Sequence, residues 1–159
     1  MKQRVIFICL GNICRSCTAE EIFRTLAKQA GYNEKFEIDS AGLIDFHEGE
    51  LPDERMRRVA KRHGYNLTHH SRPVRPEDLV YFDWVVAMDE KNRSRLMELA
   101  TDETQRAKIV MMADYLTTHK EQHAYIPDPY YGGESGFELV VELLEDACAG
   151  LLTKTTAEE

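Results

Sequence analysis

An unbroken apolar run, Val5-Ile6-Phe7-Ile8, lies near the start of the chain and ends at Cys9, with a Gly11-Asn12 turn shortly behind it. Such a run, lacking polar alternation, marks a strand buried on both faces. The period then changes. Over Arg15–Ala30 apolar residues fall at Ala19, Ile22, Phe23, Leu26 and Ala30, the spacing of a helix face, and Gly31 supplies a stop. Phe36–Ser40 alternates and predicts a second strand. Pro52-Asp53 opens a second helix with Met56, Val59, Ala60 and His63 on one face and Gly64 closing it. A short helix from Pro76-Glu77-Asp78 runs into a third strand, Asp83–Met88. Asp89 is placed to cap a helix over Glu90–Ala100, and Lys108–Met112 reads as a fourth strand. Ser135-Gly136-Phe137-Glu138 has the spacing of a capping box. The helix it starts carries a stripe of Phe137, Val140, Val141, Leu144, Cys148, Leu151 and Leu152.

Strands alternating with helices, without internal repeats, predict an α/β fold of three layers. Its centre is a four-stranded parallel sheet flanked by helices. At 159 residues, the length of one domain, residues 1–159 are read as a single unit. Open sheets of this kind bind ligands beyond the carboxyl ends of their strands. The Cys9–Arg15 loop lies on that edge, and the loops carrying Ser40, Asp89 and Asp128 are expected to open there too.

The net charge of −8 excludes a general affinity for nucleic acid or an anionic membrane surface. Any anion site must therefore be built locally. Lys2 and Arg4 before the apolar run imitate a signal peptide, but the run is too short and Gly11-Asn12 follows it, so a cytoplasmic protein is expected. The best membrane candidate, Val85–Met88, is only a strand's worth of residues. Three of the four cysteines fall within nine residues, which is no extracellular disulfide framework and points to a reactive or metal site.

Cys9 and Arg15 stand six positions apart, across the junction of strand and helix. A loop there aims its N–H groups and the helix N-terminus at one spot, which binds an oxyanion, and an arginine at its lip grips that anion bidentately. A helix N-terminus and a cation can lower a thiol from ~8.5 to ~3.5–7.5, and the Ser16 hydroxyl can donate to the sulfur. A thiol aimed at a bound phosphate implies phosphoryl transfer onto sulfur. Expelling the alkoxide or phenoxide then requires a general acid. Asp128, between Pro127 and Pro129, is the candidate, because flanking prolines hold its carboxyl in one place. Tyr130 and Tyr131 can wall a slot for an aromatic leaving group; taken alone, the run also reads as a turn with solvated aromatics.

Together, CLGNICRS near the N-terminus, SAG at Ser40–Gly42 and DPYYG at Asp128–Gly132 resemble the low-molecular-weight protein tyrosine phosphatases over nearly the whole chain. The resemblance implies a flavodoxin-like fold with a phosphate-binding loop after the first strand, and a hydrolase with acid phosphatase activity, without cofactor or metal. In it Cys9 forms a phosphocysteine intermediate, Arg15 binds the phosphoryl oxygens, and Asp128 protonates the leaving group and then activates water. Amides of Leu10, Gly11, Asn12, Ile13, Cys14 and Arg15 cradle the phosphate, with Asn12 left-handed, a conformation asparagine tolerates. Ser16, Ser40 and His69 match positions that hold the loop in shape; Leu10, Phe46, Tyr130 and Tyr131 match the substrate rim. Implied partners are phosphotyrosine-containing proteins, with inorganic phosphate or vanadate as competitive inhibitors, for a monomer or weak dimer. The second loop cysteine, Cys14, matches one that pairs reversibly with the nucleophile on oxidation. Cys17 stands where the family commonly has proline, which implies a small loss of rigidity and a competitor for that pairing.

Cys14-x-x-Cys17 leaves a thiol-redox protein as a rival, although Arg15 and Ser16 between the cysteines serve no disulfide exchange. A zinc site from Cys9, Cys14 and Cys17 needs a fourth ligand from His69-His70 or from His119 and His123. Phosphoarginine phosphatases of the same fold tend to have threonine where this chain has Ile13, so Ile13 with Tyr130 and Tyr131 favours phosphotyrosine. Arg55, Arg57, Arg58, Lys61 and Arg62 read as a solvated helix face distant from the loop.

Overall fold

The computed structural model describes residues 2–120 and 122–157. Strands β1 (Gln3–Cys9), β2 (Phe36–Gly42), β3 (Trp84–Ala87) and β4 (Ile109–Met111) form one parallel sheet in the order β2-β1-β3-β4. The helices are α1 (Arg15–Gln29), α2 (Glu54–Arg62), α3 (Pro76–Tyr81), α4 (Glu90–Leu99), α5 (Glu103–Ala107) and α6 (Glu134–Thr156), with a 3-10 turn at Met112–Tyr115. The predicted three-layer architecture is the observed one. No described helix is long and apolar enough to cross a membrane.

β1 is buried on both faces because it lies inside the sheet with helices above and below. Val5 and Phe7 join the core under α1 and α6, while Ile6 and Ile8 join Leu79, Phe82 and Leu96 on the side of α3 and α4. Phe7, Phe23 and Phe36 pack ring against ring, with centroids 5.7 and 5.1 Å apart. Full burial of each such ring contributes about 1.5–3 kcal/mol. The chain passes from β1 to β2 on one side and returns to β3 on the other. That reversal opens a crevice at the carboxyl ends of β1 and β3, where Cys9 and Asp89 sit.

Several expectations need correction. Ala30 is the exposed C-cap of α1, and Ala27 is buried in its place, one residue short of a full turn. β2 runs two residues past Ser40, because Ala41 and Gly42 still pair with Ile8 and Cys9. α5 buries no side chain, so it has no apolar stripe to announce it; Asp102 caps it by accepting from Gln105 N. The capping box at Ser135 does not form. α6 begins two residues earlier, with Gly133 as N-cap, and Glu138 instead accepts from Arg62 and His63 of the α2 end.

Gly150 lies in α6 where a Cβ would collide with the Tyr115 carbonyl oxygen. Alanine in a helix normally gains about 1 kcal/mol over glycine, but forcing apart packed backbone costs roughly 1–3 kcal/mol. Gly150→Ala is therefore expected to lower stability in urea unfolding by up to about 2 kcal/mol; a stabilised variant would show that the α6 contact yields freely.

Candidate active site

The loop from β1 to α1 closes around one sulfur. The N–H groups of Asn12 and Ser16 point at Cys9 Sγ from 3.3 and 3.5 Å, and the Ser16 Oγ lies 3.0 Å away. That oxygen accepts from Asn12 Nδ2 at 2.7 Å, which leaves its own hydrogen for the sulfur. Donors thus converge on Sγ from three directions, at the N-terminus of a fifteen-residue helix.

Asn12 holds the loop's curvature. Its φ is +59°, the left-handed region, and it is fully buried. Nδ2 also donates to Ser40 Oγ at 3.0 Å, while Oδ1 accepts from Arg72 N at 3.1 Å and from His69 Nε2 at 3.0 Å. Ser40 passes its own hydrogen to buried Glu20 at 2.6 Å, and His69 turns Nδ1 toward the same carboxylate at 3.2 Å. The flanking carbonyls are also held: Ser71 Oγ donates to Gly11 O, and Asp53 N donates to Ile13 O. Gly42 lets the loop lie against β2, since a Cβ there would meet Leu10 O at 2.9 Å.

Arg15 is a buried cation, 2% exposed. Its Nη1 donates to Asp89 Oδ2 at 2.7 Å and to Ile126 O at 2.9 Å, and Nη2 lies 3.7 Å from Asp128 Oδ2. Burial works against its charge, but the Cys9 sulfur, Asp89 and Asp128 together hold its pKa above the ordinary arginine value. Asp89 also caps α4 through Asn92 N, as its sequence position announced.

Asp128 reaches the site on a tethered loop. Ile126 N donates to Met88 O at the end of β3, and Asp128 Oδ1 accepts from Tyr130 N at 3.1 Å. The pocket above Cys9 has a volume of about 280 Å³. Leu10, Gly11, Ile13, Cys14, Arg15, Phe46, Asp128, Tyr130 and Tyr131 all border it with Cys9. Asn12, Ser16, Ser40 and His69 stand behind the loop instead. Phe46 and Tyr131 are 78% and 95% exposed, so the rim projects into solvent.

Sequence reasoning placed Asp89 on this edge but missed its bond to Arg15, and it missed Glu20 and His47, which also lines the pocket. It also misplaced α2. Arg55 grips Asp53 and donates to Tyr130 O at 3.0 Å, with its guanidinium 5.4 Å from the Tyr130 ring centroid, so this helix start braces the Asp128 loop. Arg62 pairs with Glu134 and Glu138 of α6. The basic face is largely bonded to its neighbours.

All four cysteines are free and buried. Burial, with the Cys9 sulfur next in weight, pushes the Cys14 and Cys17 thiols well above the ordinary range; burial and then Glu145 do the same for Cys148. Cys17 turns its Sγ back to Cys14 O, an oxygen Thr18 Oγ1 also bonds at 2.6 Å, so local bonds brace this turn without proline. The zinc arrangement is not present: among the described residues, only Glu20, Asp39 and His69 bring three ligating atoms together. Those atoms already bond Ser40, Arg24, Arg72 and Asn12.

A family model described as low molecular weight phosphotyrosine protein phosphatase matches residues 4–159. The chain is 41% identical to a low molecular weight protein-tyrosine-phosphatase of Streptomyces coelicolor, over 96% of this chain and 93% of that one. It is 37% identical to the human low molecular weight phosphotyrosine protein phosphatase, over 96% and 95%. A crystal structure of a protein tyrosine phosphatase from Entamoeba histolytica superposes with a TM-score of 0.95 at 41% identity, covering 99% of both chains.

Two outcomes follow from this geometry. Asn12→Ala and Asn12→Gly both lose the buried amide bonds, but only alanine meets the left-handed penalty of about 1–2 kcal/mol. Alanine is thus expected to be the less stable by roughly 1 kcal/mol in urea unfolding, and equal stabilities would show that the loop relaxes its curvature. With pKa values raised, Cys14, Cys17 and Cys148 remain thiols at neutral pH, and peptide mapping after iodoacetamide treatment of the folded protein should find them unmodified. Labelling of any of the three at the rate of a free thiol would contradict the burial.

Proposed function

The chain belongs to the low molecular weight phosphotyrosine protein phosphatase family and is a protein-tyrosine phosphatase, and from that premise we propose that Cys9, Arg15 and Asp128 carry its reaction. The observation that carries this reading is the convergence of N–H and O–H donors on Cys9 Sγ, at the floor of a pocket that Arg15 and Asp128 also line.

Cys9 attacks as thiolate. Its sulfur forms a bond to phosphorus as the phosphorus–oxygen bond to tyrosine breaks, and Asp128 gives its proton to the departing phenolate. The loop amides and Arg15 hold the phosphoryl oxygens, whose charge they meet with fixed dipoles in place of water. In the second step a water molecule loses a proton to Asp128 and bonds to phosphorus; the sulfur–phosphorus bond breaks, releasing phosphate and thiolate. Inorganic phosphate and vanadate compete for the same cup. No cofactor enters either step.

The slot favours an aryl phosphate over phosphoarginine. Ile13, 7% exposed, adds apolar surface where a polar residue would suit a guanidino group, and Leu10, Phe46, Tyr130 and Tyr131 extend that surface outward. A thiol-redox role for Cys14 and Cys17 fits poorly, since both are buried as thiols. On oxidation, Cys14 or its competitor Cys17 pairs with Cys9 in this reading. A free nucleophilic cysteine suits a reducing compartment, which supports a cytoplasmic location; residues 1–159 are read as one domain, a monomer or weak dimer.

Rapid-quench turnover of labelled phenyl and p-nitrophenyl phosphates tests the assignment. Label should be trapped on Cys9, and Asp128→Asn should slow its appearance about 10²–10⁴-fold for phenyl phosphate and far less for the nitrophenyl ester. Label elsewhere, or equal slowing of both esters, would remove Cys9 or Asp128 from its role.

A further inference from the structure

Leu10, 41% exposed, has two sides. One faces the catalytic pocket; the other, with Leu43, lines a second groove of about 400 Å³ along the first turns of α4. Lys91 and Arg95, one helical turn apart, line this groove as well. Both are exposed, and among the described residues neither has a hydrogen bond or ion pair. Glu90, the carboxylate in the groove, is held by Arg93 at 3.0 Å. Asn92 is spent on Met88 N and Asp89. The groove thus presents two uncompensated cations beside two leucines, separated from the phosphotyrosine slot by one side chain.

Resting on the phosphotyrosine reading of the neighbouring pocket, we propose that this groove is a substrate subsite for an acidic residue flanking the phosphotyrosine in the target protein. The carboxylate pairs with Lys91 and Arg95, and its aliphatic stem lies on Leu10 and Leu43. A bare inorganic anion suits the groove less well, because leucine side chains contribute part of its lining and offer that anion nothing. An acidic peptide segment supplies both the charge and the stem. This also separates the two tasks: the cup binds phosphate in every substrate, and the groove discriminates among the sequences around it.

The test uses the whole enzyme and three phosphotyrosine peptides: a Glu-Glu pair just before the phosphotyrosine, the same pair just after it, and glutamines in both places. Exposed ion pairs of this kind are each worth a few-fold at most. At least one acidic peptide should therefore exceed the glutamine peptide by about three- to tenfold in kcat/KM, chiefly through KM, with the ratio falling toward unity in high salt. Lys91→Met/Arg95→Met should abolish the preference and Lys91→Glu/Arg95→Glu should invert it, both leaving p-nitrophenyl phosphate turnover unchanged. The proposal fails if neither acidic peptide is preferred, if the preference survives charge reversal, or if the variants lose p-nitrophenyl phosphate turnover equally. No turnover of any peptide would strike the phosphotyrosine reading itself, and the subsite with it.

Discussion

One buried amide side chain sets the geometry on which the rest depends. Asn12 bonds α1 through Ser16, β2 through Ser40, and the 69–72 segment through His69 and the Arg72 N–H. Three separate parts of the chain therefore meet at one residue, and that residue has left-handed backbone. Each neutral bond contributes about 0.5–1.5 kcal/mol net, whereas an orphaned buried partner costs about 1–3 kcal/mol. The asymmetry makes the arrangement all-or-none: the loop is fully bonded, or several buried polar groups lose partners together. No buried side-chain nitrogen or oxygen among the described residues lacks a partner. The cup can keep its donors turned inward because nothing behind it is left unsatisfied.

A second constraint follows from burying Arg15. An isolated guanidinium out of water costs several kcal/mol, which the surroundings must offset with paired charge. Asp89 and the Ile126 carbonyl both engage Nη1, so they fix the arginine from one side. Ile126 N in turn bonds Met88 O at the end of β3. The loop that delivers Asp128 is therefore fastened to the same strand end as the arginine's partner. The proposed acid and the proposed anion-binding cation share a mounting, and a displacement of one carries the other.

How much of this was legible in the sequence varies with the kind of contact. The Cys9 loop is contiguous, so strand, turn, helix start and arginine are read directly from neighbouring residues. Asp128 announced itself through the flanking prolines. Asp89 was legible as a helix cap on the ligand-binding edge, but its bond to Arg15 spans 74 positions and needs the sheet order to be known. Glu20 sits in α1 among polar neighbours and reads as surface, yet it is 6% exposed and receives Ser40, Arg24 and His69. Helical spacing identifies which residues share the basic face of α2. It says nothing of what that face meets, and so Arg55 was assigned to solvent although it braces Tyr130. The failed capping box at Ser135 has a similar cause: the motif competes with Arg62 and His63 for Glu138, and tertiary pairing wins.

An acidic chain that binds anions must confine its positive potential. At −8 overall, long-range attraction of a phosphorylated protein is absent or adverse, and screening leaves contacts within about 8 Å to decide affinity. Inside the cup, backbone dipoles supply the attraction, and they add no net charge. Arg15 is largely balanced by Asp89 before any ligand arrives. In the proposed mechanism the fixed amides are the part of the site that gains most when a dianion enters, because they need not reorient. Geometry, held by Asn12, does here what a basic surface does in other anion-binding proteins.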